Sequence, residues 1–280
     1  MKIQILATTS LLILAASTHA ALIAYEGFSY SPGQPLTSQP GWSASGTGDS
    51  IIIGSGNLSV TNLQPSTGNL VTFAADGADA RYAFAPQTTD TFFSCAFRIT
   101  DSTALDSNGG YFASFSDNVS NLGSVVWLRS HGSNHYDLGG SISPTSSIQW
   151  NTNAGNGFTV GLTMFVITSY EFISGSSNDV MNLWLFEDPF LGSPFFGGPA
   201  PGSAIQVSGG PELSEVSGFM LTQLSTTGTP TMQFDELRVG HSFADVSPTI
   251  PEPSSLALLL ISGVTLCVRS GTPQRRQKNA

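Results

Sequence analysis

Short runs rich in Phe, Tyr, Val, Ile and Thr, each closed by Gly, Pro, Ser or Asn, recur along almost the whole chain. They include "ALIAYEGFSY", "SIIIGSG", "NLVTF", "ARYAFA", "TFFSCAFRIT", "GYFASFSD" and "GSVVWLRS". Further on come "SIQWN", "FTVGLTMFVITSYEFI", "VMNLWLFE", "VSGFMLTQL" and "TMQFDELRV". Branched and aromatic side chains fit a pleated, half-buried surface, so each run reads as a strand. Breaks such as "SNGG", "SGSSND" and "FFGGPAPGS" supply turns. No segment between Ala21 and Val246 has a helical hydrophobic period with caps. A dozen strands in about 225 residues predict one all-β domain of two packed antiparallel sheets. In "TMQFDELRVG", strict alternation places Met232, Phe234, Glu236 and Arg238 on one face and Gln233, Asp235, Leu237 and Val239 on the other.

Charge then limits the partners. Only 10% of the 280 residues are charged, against 40% hydrophobic. Between Ala21 and Thr249 there are 4 arginines, no lysine and 18 acids, a formal charge of -14. Such a body repels phosphates, which excludes nucleic acid as a partner. The lack of lysine also excludes a phosphate-binding loop that ends in one. The two cysteines, Cys95 in a strand-like run and Cys267 in a terminal apolar run, make no disulfide framework and no cysteine metal site. Cys95 reads as a small buried hydrophobe.

The two ends differ from the body. "MKIQILATTSLLILAASTHA" has a positive Lys2, an apolar stretch from Ile3 to Ala16, and small residues at Thr18 and Ala20. It reads as a secretory signal peptide over residues 1–20, with a mature body from Ala21 to Thr249. At the other end, Pro251, Glu252 and Pro253 precede an apolar run from Leu256 to Val268, followed by Arg269, Arg275, Arg276 and Lys278. The run is shorter than the ~20 residues of a spanning helix. The prolines set an extended approach, and the basic residues behind the run favour retention on the cytoplasmic side. In this order, residues 250–280 resemble the PEP-CTERM sorting signal. That resemblance implies export, at least transient anchoring in the inner membrane by a hydrophobic helix, and processing by an exosortase. It also implies a destination at the cell surface or in extracellular polysaccharide.

A second resemblance lies in the body. "AYEGFSY" from Ala24, with Gly41-Trp42 after it, is similar to the start of a concanavalin A-like or LamG-like jelly roll. "FDELRVGHSFADV" from Phe234 is similar to its closing strand. The resemblance implies a jelly-roll sandwich whose first and last strands pair. It also implies carbohydrate binding, calcium binding or glycosidase activity in some members, none of which follows from the fold alone.

The residues offer little catalysis. A retaining glycosidase needs two carboxylates ~5 Å apart. The close acid pairs are Glu187-Asp188, Glu212 with Glu215, and Asp235-Glu236. Neighbours on a regular strand face opposite ways, so Asp235 and Glu236 do not share a cleft in this reading. Gly48-Asp49-Ser50-Ile51 resembles the nucleophile block of an esterase family, but the Asp-x-x-His that such a family needs is missing. His131 and His135 flank Gly132-Ser133-Asn134 and read as a loop rather than a zinc face. Asp101, Asp106, Asn108 and Asp117 crowd one segment with oxygen ligands suited to calcium, or simply form acidic turns. Trp42, Trp127, Trp150 and Trp184, with Tyr111, Tyr136 and Tyr170, are either core residues or platforms for sugar rings. The expectation is therefore a non-enzymatic exported surface or matrix protein that requires no cofactor. A carbohydrate-binding module is the alternative, and a glycoside hydrolase or lyase ranks behind it.

Overall fold

The computed structural model describes residues 22–117, 121–189, 196–224 and 228–248. The leader-like residues 1–20, the Pro251-Glu252-Pro253 motif, the terminal apolar run and the basic cluster lie outside the described residues. Two antiparallel sheets carry almost all the regular structure. Numbered in chain order, the first holds β1 (Ala24–Glu26), β3 (Ile52–Gly54), β4 (Leu70–Phe73), β6 (Thr91–Asp101), β12 (Thr163–Glu171), β13 (Val180–Asp188), β14 (Ile205–Ser208) and β16 (Thr231–Gly240). The second holds β2 (Trp42–Ser45), β5 (Asp79–Gln87), β7 (Gly110–Ser116), β8 (Leu122–Ser130), β9 (His135–Ser141), β10 (Gln149–Asn151), β11 (Phe158–Thr159) and β15 (Val216–Leu221). The first sheet runs β14-β13-β12-β6-β16-β4-β3, and β1 also pairs with β16. The second runs β10-β9-β8-β7-β15-β5-β2, with β11 on β9. The chain passes repeatedly from layer to layer, as in a jelly-roll sandwich.

The core follows from alternation. Phe93, Cys95, Phe97 and Ile99 of β6 are fully buried and point to the second sheet. Phe93 meets Phe115 of β7 and Phe219 of β15 edge-on, at 4.9 and 5.0 Å between centroids. Phe219 in turn packs on Phe234 of β16 at 5.7 Å. Cys95 is buried and free, and burial pushes its thiol well up, so it behaves as the apolar residue its context suggests.

The first and last strands pair, Ala24 opposite Val239 and Glu26 opposite Leu237. Glu26 explains the "AYEGFSY … GW" signature. Its carboxylate accepts the Phe28 N–H (2.7 Å), the Tyr30 hydroxyl (2.6 Å) and the Trp42 indole N–H (3.1 Å). One buried acid thus ties β1 to the loop after it and to the start of β2. With burial, it also pushes the Tyr30 hydroxyl far above its usual range.

The first sheet also carries a second apolar cluster on its outer face. Ala96, Phe165, Ile167 and Trp184 lie beneath Leu58, Val60, Leu63, Phe196, Phe243 and Val246. Trp184 packs edge-on against Phe243 at 5.3 Å and donates its N–H to the Pro201 carbonyl (2.8 Å). That face is roofed by the chain's own loops and by α1 (Phe243–Val246).

Three local readings need correction. Strict alternation fails in β16: a bulge between Asp235 and Arg238, with Glu236 at φ 57, puts Met232, Phe234, Leu237 and Val239 on the core face. The "closing strand" ends at Gly240, because Ser242 caps α1 by accepting the Asp245 N–H (3.2 Å) while Phe243 and Val246 enter the outer cluster. "FTVGLTMFVITSYEFI" is two strands in different sheets. The chain turns at Gly161, at φ +93, between β11 and β12. No helix among the described residues is long and apolar enough to cross a membrane.

Candidate functional site

The outer face of the second sheet differs from that of the first. In β8, Val126 and Leu128 face the core, which turns Trp127 and Arg129 outward. Cross-strand register then aligns four strands: Tyr111 of β7 is opposite Trp127 of β8, Trp127 is opposite Gly139 of β9, and Gly139 is opposite Trp150 of β10. The three aromatic residues are partly exposed, and neither apolar cluster includes them. Two strand spacings, about 9.5 Å, separate the Trp127 and Trp150 backbones.

Gly139 is what brings the rings together. A Cβ there would lie 2.6 Å from Cε3 of Trp150 and 2.9 Å from Cγ2 of Ile148. With no side chain on β9 at this point, Trp150 and Ile148 settle directly onto the strand. On the other side Trp127 meets the Tyr111 ring at 5.0 Å, edge to face, and its indole N–H donates to Ser141 Oγ (2.7 Å).

Polar groups border this row. The Arg129 guanidinium lies 4.4 Å from the Trp150 ring centroid, and its Nε donates to Asp137 Oδ2 (2.9 Å). His131 Nδ1 lies 2.8 Å from the other oxygen of Asp137. Beyond Tyr111, Asp79 accepts the Gln223 N–H at 2.8 Å. Burial, and then the nearby Asp79 carboxylate, hold the Tyr111 hydroxyl above its usual range. Burial likewise raises Asp79, against the pull of its Gln223 bond. The arrangement combines flat apolar faces with a few anchored donors and acceptors, the composition of sites that hold polar ligands having one apolar side.

The other aromatic candidates divide cleanly. Trp42, Tyr136 and Tyr170 belong to the inter-sheet core and Trp184 to the roofed cluster. The calcium candidates do not come together. Asp106 and Asn108 precede β7 and Asp117 follows it, so a seven-residue strand of about 23 Å lies between them. Asp101 accepts the Thr103 N–H, Asp106 accepts the N–H groups of Asn108 and Gly109, and Asp117 accepts that of Asn121. These are turn-forming bonds. His131 and His135 stand at the two ends of the β8–β9 turn, and His135 Nδ1 lies 2.9 Å from the Ser133 carbonyl. No group of three or more metal-ligating side chains occurs among the described residues. In the esterase-like block, the Asp49 backbone carbonyl accepts the Ala78 N–H, which makes the block a strand-like contact.

Five of the six paired acids accept backbone N–H groups. Thr159 N donates to Glu187 (2.7 Å) and Thr61 N to Asp188 (2.8 Å). Glu212 accepts the backbone N–H groups of Asn178 and Asp179, and the Asp179 N–H, the larger cause, holds it below its usual range. Asp235 and Glu236 need a correction. The bulge sends both carboxylates to the outer side, where the covering segment meets each of them. Asp235 accepts the Leu58 N–H (2.8 Å), while Glu236 accepts the Thr67 N–H (3.0 Å) and pairs with Arg238. They do share a face, but at 0% and 3% exposure neither reaches a cleft. Burial pushes Asp235 up to about 8.

No protein-family model matches the chain, and no curated protein is similar to it in sequence. Solved structures are similar in backbone shape. The globular domain of T. cruzi calreticulin matches with a TM-score of 0.44 at 11% identity, over 88% of this chain and 95% of that one. Domain 4 of AbnA, a GH43 extracellular arabinanase from Geobacillus stearothermophilus solved with arabinotriose, matches with a TM-score of 0.39 at 11% identity, over 74% and 87%. The SAP-like pentraxin of Limulus polyphemus matches with a TM-score of 0.38 at 10% identity, over 63% and 78%. The chemistry of the site rests on its own residues.

The sequence singles out Trp127, Trp150 and Tyr111 but does not separate them from the buried aromatics. Nothing in it marks Gly139, Ile148 or the Asp137 anchor. β9 reads "HYDLGGS", too polar and glycine-rich to stand out as a strand. The signal in the sequence that points to the row is "VVWLR" in β8, where a Trp alternates with Val126 and Leu128.

Proposed function

We propose that the protein is an exported, non-enzymatic carbohydrate-binding protein whose body holds glycan on the outer face of the second sheet. The observation that carries this is the cross-strand row Trp150–Gly139–Trp127–Tyr111 on an otherwise well-packed sandwich. The C–H face of a sugar ring is apolar and stacks on an indole, while its hydroxyls need donors and acceptors at the rim. Arg129 and His131 stand there, both held by the buried Asp137 carboxylate. Export is supported by the leader-like residues 1–20, and sorting through an exosortase by Pro251-Glu252-Pro253 with the basic cluster behind it. The destination is the cell surface or its extracellular polysaccharide. The non-enzymatic reading is supported by Glu187, Asp188, Glu212, Asp235 and Glu236, whose carboxylates accept backbone N–H groups.

A glycan array with the purified protein tests the binding reading. Retention on at least one glycan, lost in Trp127→Ala, is expected. Failure to bind any glycan would remove it. Export is tested separately by following a tagged full-length chain, with and without residues 250–280. Unchanged localisation after that deletion would refute the sorting role.

A further inference from the structure

The aromatic row does not stop at the edge of the sheet. β10 is the last strand of its path, and beside it opens a cleft of about 590 Å³ between the two sheets' edge strands, β10 and β14. Gln149 and Ile148 line it from one side and Gln206 and Ser208 from the other, with Thr145 and Ser146 in the connecting loop. Ile148 belongs to both places: it lines the cleft and also rests against Gly139 beside Trp150. The cleft therefore adjoins, through Ile148, the position on β9 where Trp150 also rests.

The cleft has an unusual lining for this molecule. The body has a formal charge of -14, yet among the described residues none that lines the cleft is ionisable. Hydroxyls, carboxamides and backbone supply its polar groups. Asn182 Oδ1 accepts the Gln206 amide at 2.9 Å, and Ser146 Oγ lies 2.8 Å from Ser143 Oγ, so these groups are held in position. Gly210, at φ +120, lets the turn after β14 close onto Ser146 and Ile142. A polar site without charge, inside an acidic body, selects ligands rich in hydroxyls and free of carboxylate or sulfate.

We infer that this cleft is a second subsite of the same glycan-binding face, and that the ligand is an uncharged oligosaccharide long enough to reach from the Tyr111–Trp127 platform past Trp150 into it. The row from Tyr111 to Trp150 spans three strand spacings, about 14 Å, before the cleft begins. A disaccharide covers only part of that path. The inference rests on the glycan-binding reading of the row and adds to it both ligand charge and ligand length.

Titration calorimetry of the purified protein separates the two. The probes are neutral cello-, xylo- and laminari-oligosaccharides from disaccharide to hexasaccharide, with oligogalacturonides as the charged arm. Affinity for a neutral series should rise with length until the cleft is filled, and oligogalacturonides should bind at least about tenfold more weakly. In Gln149→Ala/Gln206→Ala, disaccharide affinity should be unchanged and hexasaccharide affinity about tenfold lower, the effect of losing two amide contacts. Trp127→Ala should weaken every length. Length-independent binding, or a double variant equal to wild type on the hexasaccharide, would overturn the cleft subsite and leave the row intact. Full binding by Trp127→Ala, or no binding of any chain, would overturn the row and the cleft with it.

Discussion

Single residues hold the ends of this fold together. Glu26 is 6% exposed and serves three donors from three places in the chain. Glu26→Ala leaves the Phe28 N–H and the Trp42 indole unpaired in the interior and frees the part-buried Tyr30 hydroxyl. Each buried orphan costs about 1–3 kcal/mol, so a loss of at least about 2 kcal/mol is expected. In a domain of this size that lowers the melting temperature by about 5 °C or more. A shift within 1 °C of wild type by calorimetry would show that these bonds contribute nothing. The "AYEGFSY" motif was legible in the sequence, whereas its chemistry was not, because Trp42 lies 16 residues away and only folding brings it to Glu26.

Asp235 gives a pH signature. An unfolded Asp titrates near 3.9, and burial pushes this one up to about 8. Between those values the folded state binds the extra proton, so Asp235 contributes its full stability below pH about 4 and loses it as pH rises through about 8. Wild type should therefore melt progressively lower from pH 5 to pH 8.5, and Asp235→Asn should show a flatter profile. Parallel profiles for the two proteins, recorded by thermal denaturation, would contradict this.

At the scale of elements, alternation reads a strand correctly until a bulge intervenes. Nothing in "MQFDELRV" marks the extra residue, since the left-handed Glu236 is stabilised by tertiary bonds to Tyr25 and Thr67 besides its local pair with Arg238. A regular strand keeps Asp235 and Glu236 apart. The bulge puts them on one side and the covering loop buries them, so their unsuitability for catalysis has a different cause from the one alternation suggests. β9 is the reverse case. Its glycines hide the strand from propensity while making the aromatic row possible. Gly139→Val places two methyl groups where Trp150 and Ile148 rest. This variant should keep the β-type circular dichroism of wild type and bind neutral glycan about tenfold more weakly. Wild-type affinity would show that Trp150 takes no part.

At the scale of the molecule, the two outer faces have opposite fates. Loops and α1 roof the first sheet with apolar side chains, whereas the second sheet presents Trp127, Trp150 and Tyr111 partly exposed. The two-layer all-β class was legible because the strand runs and turn residues are local signals. The division of four tryptophans into two buried and two at the surface was not, since it depends on which sheet each strand joins and what covers it. In the proposed role the part-exposed pair, Trp127 and Trp150, meets sugar. Tryptophan fluorescence during titration with a neutral oligosaccharide tests it most directly, because Trp42 and Trp184 are sequestered from ligand. A saturable shift is expected that shrinks in Trp150→Phe and disappears in Trp127→Phe/Trp150→Phe. A saturable shift that persists in the double variant, or no shift with any glycan the protein is offered, would contradict it.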